Sequence, residues 1–543
     1  MYEGNLIDYF PVVGEFKKPR DGQAAVLKEM DRVIKLGKKL IIVEGPVGSG
    51  KSGLAITLAR AFKSAHIITP RKALQDQYYA DFHDFVVLMK GRAGYPCTIN
   101  SSRATYLKVI QDIENGKVRA PTQHEPNCSV APCRNSPQVF KDCTNAKGTC
   151  PYTAAMEVAQ KHDTVIHNLH SFIFQTSFAN KFEKRDVLVV DEAHDIAATV
   201  REFISKKFTI PVVIDPRSFP EGNDVDVWCD FFLQPQYVPP ETPADAFYKE
   251  SDPDFVSAHD EYIVKVEHFR AQKTYFENKF VVKSQINKVG NREVSSTFEF
   301  IPERLGGSPN EFIFNKGEHV VLMSGTVYGK EYFCNLLGIN PEEAHYIRIA
   351  STFPLELRPI VAKAEYQVDT SFANWNENFD EMIAKIEKIM AIFHDAKGLI
   401  HAPSYEAAEQ IVLRIGGSRL VTHSKSDTHD KLQAFYDSTE PLVFVSPVCQ
   451  QGVDFKEDRA RFQIIVRVPY PNTSDPFVAH KVKTDFQWYN YQALVTFGQM
   501  LGRVNRSEED YGATFLMDSR FNKFITKNMR TIPKWVTNAI IWK

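Results

Sequence analysis

The chain has 543 residues, of which 43% are hydrophobic and 24% are charged, so it can form more than one hydrophobic core. Its length predicts about three or four domains. The formal net charge of −2 gives no overall attraction to phosphate, so nucleic-acid binding would need local basic patches. The first residues lack the features of a secretory signal, and no run of about 18 apolar residues occurs. We therefore expect a soluble, cytoplasmic protein that does not contact membranes.

The segment KKLIIVEGPVGSGKSGLAITLARAF, residues 38–62, predicts a strand, a glycine-rich loop and a helix. Further short apolar runs predict strands at Ala65–Thr69, Val187–Val190, His319–Ser324, Gly398–His401, Leu442–Ser446 and Phe462–Val466. Many of these runs precede stretches with helical periodicity. The pattern therefore predicts an α/β protein with two parallel sheets covered by helices, the first up to about Ser324 and the second from Gly398 onward.

Two regions interrupt the first set of strands. Residues 89–152 contain five of the eight cysteines among polar loops and predict a small inserted module. Residues 211–302 have acidic, proline-broken connections followed by charged helical sequence. They predict a second, mainly helical insertion.

The octapeptide GPVGSGKS, residues 45–52, fits the pattern G-x-x-x-x-G-K-[ST] between a predicted strand and helix. Its glycines, Gly45, Gly48 and Gly50, let backbone N–H groups surround phosphate oxygens at a helix N-terminus. Lys51 can reach the β- and γ-phosphates, and Ser52 can hold Mg²⁺. The loop predicts a nucleoside triphosphate site, against the alternative of a chance glycine turn.

The hexapeptide VVDEAH, residues 189–194, supplies carboxylates at the end of a predicted strand. Asp191 is expected in the Mg²⁺ shell, and Glu192 is placed to orient or deprotonate the attacking water. His194 is expected beside the nucleotide. A DEAH tetrapeptide alone could start a surface helix, but together with the phosphate loop it predicts hydrolysis of ATP with Mg²⁺.

The clustered cysteines predict a metal site in a module too small for an apolar core. They are Cys97, Cys128, Cys133, Cys143 and Cys150. Four thiolates suit either Zn²⁺ or an iron–sulfur cluster, and both remain open on spacing alone. The other three cysteines, Cys229, Cys334 and Cys449, are expected to be ordinary packed thiols.

An ordered series of further motifs runs along the chain. It comprises PRDGQ (19–23), TPRKALQDQY (69–78), CPYTAAMEVAQ (150–160), VIHNLHSFIF (165–174), LMSGT (322–326), STFPLELRPI (351–360), SYEAAEQ (404–410), SPVCQQGVDF (446–455) and QMLGRVNR (499–506). With the phosphate loop and VVDEAH, this series resembles the iron–sulfur helicases of superfamily two, of the XPD and DinG type. The resemblance covers nearly the whole chain, although residues 211–302 align only by position.

The resemblance implies an α/β fold of two RecA-like motor domains, the first of them interrupted twice. The implied boundaries are motor domain 1 at 1–88, 153–210 and 303–350, an iron–sulfur module at 89–152, a helical arch-like insertion at 211–302, and motor domain 2 at 351–543.

The resemblance also implies roles for several side chains at the nucleotide. Gln23 would contact the adenine, and Asp454 would touch the ribose or couple the domains. Gln499, Arg503 and Arg506 would face the triphosphate from motor domain 2, where a permanently charged guanidinium can stabilise the transferring phosphoryl group. The family often has glutamate where this chain has Gln451.

For the cysteines, the resemblance implies a [4Fe-4S] cluster with Cys97 as the first ligand and Cys150 as the last. The close C-x4-C pair Cys128 and Cys133 favours a set that contains both. The alternative set replaces Cys128 with Cys143.

The cluster module is expected to form part of a channel for single-stranded DNA. Candidate DNA contacts are Arg71, Gln75, Gln77, Arg92, His167 and Asn168, each with a solvated polar side chain as the alternative. Two aromatic residues near the cysteines, Tyr95 and Tyr152, are expected either to stack on bases or to pack the module.

The sequence as a whole predicts a monomeric, ATP-dependent DNA helicase of a bacterial or phage-infected cell. The resemblance implies that it moves 5′ to 3′ on single-stranded DNA, and we expect it to unwind forked DNA and to serve replication or repair. One alternative is a DNA-stimulated ATPase that remodels nucleoprotein without processive unwinding. Another is a nucleic-acid-binding redox sensor with a vestigial ATPase.

Overall fold

The computed structural model describes most of the chain. The described residues are 2–14, 16–98, 103–115, 121, 127–129, 131, 150–243, 245, 257–276, 279–449, 455, 457–505 and 509–543.

The strands, in chain order, are β1 (Leu40–Glu44), β2 (Ala65–Thr69), β3 (Val87–Met89), β4 (Thr164–Asn168), β5 (Arg185–Asp191), β6 (Lys206–Ile210), β7 (Phe280–Val289), β8 (Arg292–Pro302), β9 (Gly317–Ser324), β10 (Ala344–Arg348), β11 (Ile360–Val361), β12 (Gly398–His401), β13 (Leu420–Val421), β14 (Val443–Ser446), β15 (Phe462–Ile465), β16 (Ala513–Leu516) and β17 (Ile540–Ile541).

The α-helices are α1 (Asp21–Lys35), α2 (Lys51–Ala61), α3 (Lys72–Phe82), α4 (Arg103–Glu114), α5 (Pro151–Lys161), α6 (Leu169–Ile173), α7 (Ile196–Ile204), α8 (Val225–Phe232), α9 (Ala258–Ala271), α10 (Ser308–Phe312), α11 (Lys330–Leu336), α12 (Phe379–Ile392), α13 (Tyr405–Ile415), α14 (Thr428–Asp437), α15 (Pro476–Thr484), α16 (Phe486–Leu501), α17 (Phe521–Asn528) and α18 (Lys534–Thr537). No helix in these ranges is both long enough and apolar enough to span a membrane.

Two parallel sheets organise the described residues. The first has the strand order β10-β1-β9-β5-β2-β4-β3, and the second has the order β13-β14-β12-β15-β16-β11-β17. The central strands are buried on both faces, as the runs LIIVE and AHIIT predict for strands covered by helices. The predicted α/β architecture with two parallel sheets is confirmed, and the runs at Ala65–Thr69 and Gly398–His401 match β2 and β12 residue for residue.

The largest hydrophobic cluster joins the two sheets. It contains residues of the first sheet, such as Leu322, together with residues of helix α16, such as Leu494 and Phe497. The chain position of α16, between β15 and β16, assigns this helix to the second sheet. The two halves are therefore held together by shared apolar packing, which brings α16 against the first sheet.

A third, antiparallel sheet, with the order β6-β8-β7, joins β6, which directly precedes the second insertion, to β7 and β8 inside it. Helices α8 and α9 cover it and enclose an aromatic core. Phe208, Phe232, Phe298 and Phe300 are each at most 1% exposed there. This apolar cluster gives the insertion a core of its own.

The insertion therefore differs in secondary structure from the mainly helical insertion expected over residues 211–302. Both helices are present, but β7 and β8 also form a long hairpin that turns at Gly290, where φ is 60°. The exposed residues of the hairpin are adjacent in sequence, as Ser284 and Gln285 are, and do not occupy every second position. The sequence therefore lacks the alternation that normally predicts a strand.

We predict that Phe300→Ala will loosen the insertion selectively. Phe300 is fully buried, with ring centroids 4.8 Å from Phe269 and 5.0 Å from Trp228, so its truncation should cost about 3–5 kcal/mol. Hydrogen exchange should then accelerate in peptides from 206–302 and stay unchanged in the two parallel sheets. Val289→Ala at the 71% exposed hairpin tip is the control and should exchange like the unmodified chain. Uniform acceleration along the whole chain would contradict an independent core.

Candidate active site

Three motif segments meet at the carboxyl edge of the first sheet. Strands β1, β9 and β5 are neighbours, and all run in parallel. Their register places Glu44 level with Ser324, and Asp191 level with Met323. The glycine-rich loop, the SGT segment and the DEAH segment therefore emerge side by side, as expected for a binding site at the ends of parallel strands.

The glycine-rich loop needs its glycines for steric reasons. Gly48 and Gly50 have φ of 76° and 75°, which side chains with a Cβ rarely adopt. A Cβ on Gly50 would lie 2.2 Å from Nε2 of Gln23. The Gln23 amide donates to the Gly50 carbonyl at 3.0 Å, and Arg20 donates to the Gly48 carbonyl at 2.8 Å. The first turn of α1 and the residue before it therefore hold the loop in place.

Lys51 is the first residue of helix α2, directly after the left-handed Gly50. Its ammonium is 3.2 Å from the Gly45 carbonyl and 3.4 Å from the Pro46 carbonyl, and the side chain is 9% exposed. The charge is thus folded into the loop at a helix N-terminus, where an anion is favoured. Ser52 follows it at the same helix end and is partly buried.

The two carboxylates of the DEAH segment are held differently. The Asp191 carboxylate accepts hydrogen bonds from the hydroxyl of Tyr78 and from the backbone N–H of Glu192, both at 2.9 Å. Glu192 has φ of 53°, an unusual conformation for a residue other than glycine. Strained backbone of this kind clusters at functional sites, where it directs a side chain.

Electrostatics separate these carboxylates. Burial and the adjacent charge of Glu192 raise the pKa of Asp191. Burial also opposes ionisation of Glu192, but contact with His194 and the charges of Lys51 and Arg503 outweigh it and lower the Glu192 pKa. The two carboxylates therefore differ in basicity, and its lowered pKa keeps Glu192 ionised, as a water-orienting group requires.

A chain of polar contacts leads from the DEAH segment to helix α16. Nδ1 of His194 lies 2.9 Å from Oγ of Ser324, and that oxygen lies 3.3 Å from Oγ1 of Thr326. The Gln499 amide of α16 donates to the same Thr326 oxygen at 3.3 Å. Arg503, 5% exposed, donates to the Gln499 carbonyl at 3.0 Å. The first sheet and the helix of the second are thus connected through buried polar groups.

Close packing accompanies these bonds. A Cβ on Gly502, which ends α16, would lie 2.5 Å from Cγ2 of Val47 in the glycine-rich loop. The helix therefore approaches the loop as closely as a glycine allows, and Gln499 and Arg503 are presented beside the predicted phosphate site.

The structure brings together the predicted residues of the glycine-rich loop, the DEAH segment and α16. Two other predicted residues, Asp454 and Arg506, and the divergent Gln451 lie outside the described residues. The described geometry therefore includes one of the two predicted arginines, Arg503.

The predicted DNA contacts divide by exposure. Gln77 and Arg92 are exposed, and Asn168 donates to the Pro70 carbonyl at 2.9 Å. Arg71 pairs with Asp195 at 3.7 Å.

Two of the predicted DNA contacts, Gln75 and His167, are fully buried. Nε2 of His167 lies 3.2 Å from Nδ1 of His66 inside the domain. Contact of either side chain with DNA would therefore require its exposure first. The reason is tertiary: the strand and helix that carry them pack these polar groups inward.

Three of the clustered cysteines converge. Cys97, Cys128 and Cys150 line one cavity of about 420 Å³, and Arg92 lies over the Tyr152 ring at its rim. Contact between Cys128 and Cys150 raises the pKa of the first thiol and lowers that of the second to about 5. The three thiols are therefore close enough to interact electrostatically. The thiolate is the form in which cysteine binds a metal.

Cys133 and Cys143 lie outside the described residues, so the choice between them as ligands stays a prediction. Among the residues that are described, no group of three or more His, Cys, Asp or Glu is arranged to hold a metal ion. Tyr95 is fully buried and packs edge-on against Tyr152 at 5.8 Å, which favours the packing role for this pair. The three remaining cysteines are buried free thiols, as predicted.

Sequence reasoning missed two side chains that hold the site. The Tyr78 hydroxyl donates to Asp191, and the Ser324 hydroxyl contacts His194. Neither residue was assigned a role from the sequence, although both lie within quoted motifs. The position of Tyr78 three residues after Gln75, on the inner face of α3, was the available signal.

Two family models match separate parts of the chain. A helicase C-terminal domain matches residues 386–539, and the res subunit of type III restriction enzymes matches residues 16–215. The first range contains α16, and the second contains the glycine-rich loop and the DEAH segment.

Curated relatives match over short stretches. The Fanconi anemia group J protein homolog of Gallus gallus is 30% identical over 138 residues, 22% of this chain and 11% of that protein. A regulator of telomere elongation helicase 1 homolog of Drosophila willistoni is 35% identical over 99 residues, 16% of this chain and 10% of that protein. These matches thus span about a tenth of the relatives' length.

Solved structures share the fold over nearly the whole chain. An XPD helicase aligns with a TM-score of 0.59 at 17% identity, covering 97% of this chain and all (100%) of that one. An Xpd4 structure from S. tokodaii aligns with a TM-score of 0.52 at 14% identity, covering 96% and 100%. The chain therefore has the fold of these structures, with two parallel sheets that resemble RecA-like domains. More narrowly, the resemblance to superfamily two helicases of the XPD and DinG type is confirmed.

We predict that Gly502→Ala will strain the contact between α16 and the loop. The added methyl group would lie 2.5 Å from Val47, so unfolding in urea should show a loss of about 1–3 kcal/mol. The double variant with Val47→Ala removes that overlap and should recover most of the loss. Gly307→Ala, which meets no atom within 4 Å, is the control. An unchanged midpoint for Gly502→Ala would contradict the close approach.

Proposed function

We propose that the chain is an ATP-dependent DNA helicase that moves 5′ to 3′ on single-stranded DNA and unwinds forked duplexes. The observation that carries the proposal is the buried polar path from Glu192 through His194, Ser324 and Thr326 to Gln499 of the second sheet. Such a path lets the state of a nucleotide on the first sheet bias the position of the second.

In this proposal the chain's own groups divide the work of hydrolysis. Backbone N–H groups of residues 45–50 and Lys51 bind the phosphates, and Gln23 lies where the base would be recognised. Glu192 accepts a proton from the attacking water, since it is ionised and its side chain is partly exposed. Ser52 and Asp191 would hold Mg²⁺, which supplies positive charge to the phosphate oxygens.

Arginines from the second sheet would complete the site. Arg503 already interacts with Glu192 electrostatically and is anchored to Gln499. A guanidinium in this position stabilises the charge that spreads over the transferring phosphoryl group. Arg506, four residues from Gly502, is proposed for the same task, and Asp454 for a contact to the ribose. Hydrolysis would then depend on closure of the two domains.

The cysteine module would hold a [4Fe-4S] cluster. Cys97, Cys128 and Cys150 supply three thiolates around one cavity, and Cys133 is proposed as the fourth ligand, with Cys143 in place of Cys128 as the alternative set. When bound, the cluster would cross-link segments that are far apart in sequence. Exposed Arg92 and Gln77, with Arg71 and Asn168, are proposed to contact the single strand beside it.

We predict that Glu192→Gln will keep ATP binding and lose hydrolysis by at least about 100-fold, since the amide cannot take a proton. The measurements are ATP affinity and DNA-stimulated phosphate release. Glu202→Gln, an exposed glutamate of the following helix, is the matched control and should behave like the unmodified protein. Near-normal turnover in Glu192→Gln would refute the assigned site. Strand displacement by the unmodified protein separates a helicase from an ATPase that only remodels nucleoprotein.

We predict that Cys133→Ser will remove the iron, because a hydroxyl is a poor substitute for a thiolate. Iron content and visible absorption of anaerobically purified protein should collapse and unwinding should stop, while ATP hydrolysis remains measurable. Cys143→Ser should keep its iron if the preferred ligand set is right and lose it if the alternative is. Stoichiometric zinc without iron in the unmodified protein would overturn the cluster.

A further inference from the structure

Glu44 is a buried carboxylate with no role in the chemistry described above. It is the last residue of β1, directly before the glycine-rich loop, and is 1% exposed. Its backbone is level with Ser324 of β9 on one side and Arg348 of β10 on the other. A buried carboxylate at this junction needs specific partners, because its desolvation is unfavourable.

Its two oxygens serve different segments. Oε1 accepts a hydrogen bond of 2.8 Å from the backbone N–H of Tyr328. Oε2 accepts one of 2.7 Å from Nε of Arg348 and another from the hydroxyl of Tyr346. One oxygen thus anchors the carboxylate in the sheet, and the other holds the segment that follows the SGT motif.

The held segment is strained at Tyr328. This residue has φ of 52°, a conformation that bulky side chains rarely adopt and that persists only where surrounding contacts impose it. The bond from its N–H to Glu44 is such a contact. The Tyr328 side chain is 3% exposed and fixed in direction.

The fixed tyrosine packs on helix α16. A Cβ on Gly498 would lie 2.0 Å from Oη of Tyr328 and 2.7 Å from Cγ2 of Thr326. Gly498 directly precedes Gln499, whose amide bonds to Thr326. The position of the Tyr328 ring therefore sets how near α16, with Gln499 and Arg503, comes to the phosphate loop.

A second residue of α16 lies in the field of the same carboxylate. The hydroxyl of Tyr491 is buried, with no hydrogen-bond partner among the described residues. Burial and then the charge of Glu44 raise its pKa. Glu44 thus acts on α16 by contact, through Tyr328, and the Tyr491 hydroxyl nearby stays protonated.

We propose that Glu44 is a positioning residue for ATP hydrolysis. By holding Tyr328 in its left-handed conformation, it sets the distance between the phosphate loop and the helix that carries Gln499 and Arg503. This inference rests on the proposed ATPase activity, and it adds a residue that touches neither nucleotide nor metal. It predicts that disturbing either end of the contact slows turnover and leaves ATP binding nearly unchanged.

The test compares ATP affinity with kcat in four single variants. Glu44→Ala should lower kcat by about tenfold or more, as expected for misplaced catalytic groups, with ATP affinity within about threefold. Gly498→Ala, which inserts a methyl group at the other end, should give the same split. Glu44→Gln keeps a carbonyl oxygen for the Tyr328 N–H and should retain most of kcat. Tyr346→Phe leaves the bond to Tyr328 intact; it removes the hydroxyl that donates to the other oxygen and accepts from Arg348. It is the control and should keep normal kinetics.

The double variant of Glu44→Ala and Gly498→Ala supplies a readout that general destabilisation would not move. Since both changes act through the same ring, their effects on kcat should be less than additive. Fully additive effects, or a loss of ATP affinity as large as the loss of kcat, would overturn the inference. If Glu44→Ala does not fold, Glu44→Gln and Gly498→Ala decide. An unmodified protein without ATPase activity would instead refute the proposed function.

Discussion

Helix α16 packs its glycines directly against the loops that follow β1 and β9, and the relation between the two sheets depends on this contact. Gly498 faces Tyr328, and Gly502 faces Val47. A Cβ at either position would require the contacted side chain or the helix to shift. The distance across the site is thus set by backbone meeting side chain, which is a stiffer contact than one between two flexible side chains.

This close approach brings the polar groups of the two sheets within interaction distance. The Gln499 amide reaches Thr326, and Arg503 reaches the electrostatic range of Glu192, only because the helix backbone lies so near. Inside a buried interface such bonds are sensitive to small displacements, since the medium screens them weakly. A shift of α16 would therefore change the electrostatic environment of Glu192, and a change in the charge of Glu192 would alter the forces on Arg503.

Much of this arrangement could be predicted from sequence. The strands and the motif residues were predictable because buried parallel strands are continuous apolar runs, and because a phosphate loop needs glycine at fixed positions. Contacts between distant segments were not. Nothing local marks Glu44 as the partner of Tyr328, or shows that Gln75 points inward. The hairpin of β7 and β8 was not predicted for a related reason. Its exposed residues do not alternate with buried ones, and its apolar residues are buried by helices that lie elsewhere in the sequence.

The spacing along α16 links packing to chemistry. Gly498 and Gln499 lie in the last turn of α16, and Gly502 and Arg503 follow four residues later, just past its end. A glycine ridge and a polar ridge therefore run side by side at this end of the helix. Because the two ridges are offset by a single residue, any rotation of the helix that changes the glycine contact also re-aims the polar side chains. The segment that contacts Gly498, from Ser324 to Tyr328, is the same one that bonds to His194 and to Glu44. A displacement of α16 would therefore act on the first sheet through the segment from Ser324 to Tyr328. His194 holds one end of this segment and Glu44 holds the other, and both lie beside the phosphate loop.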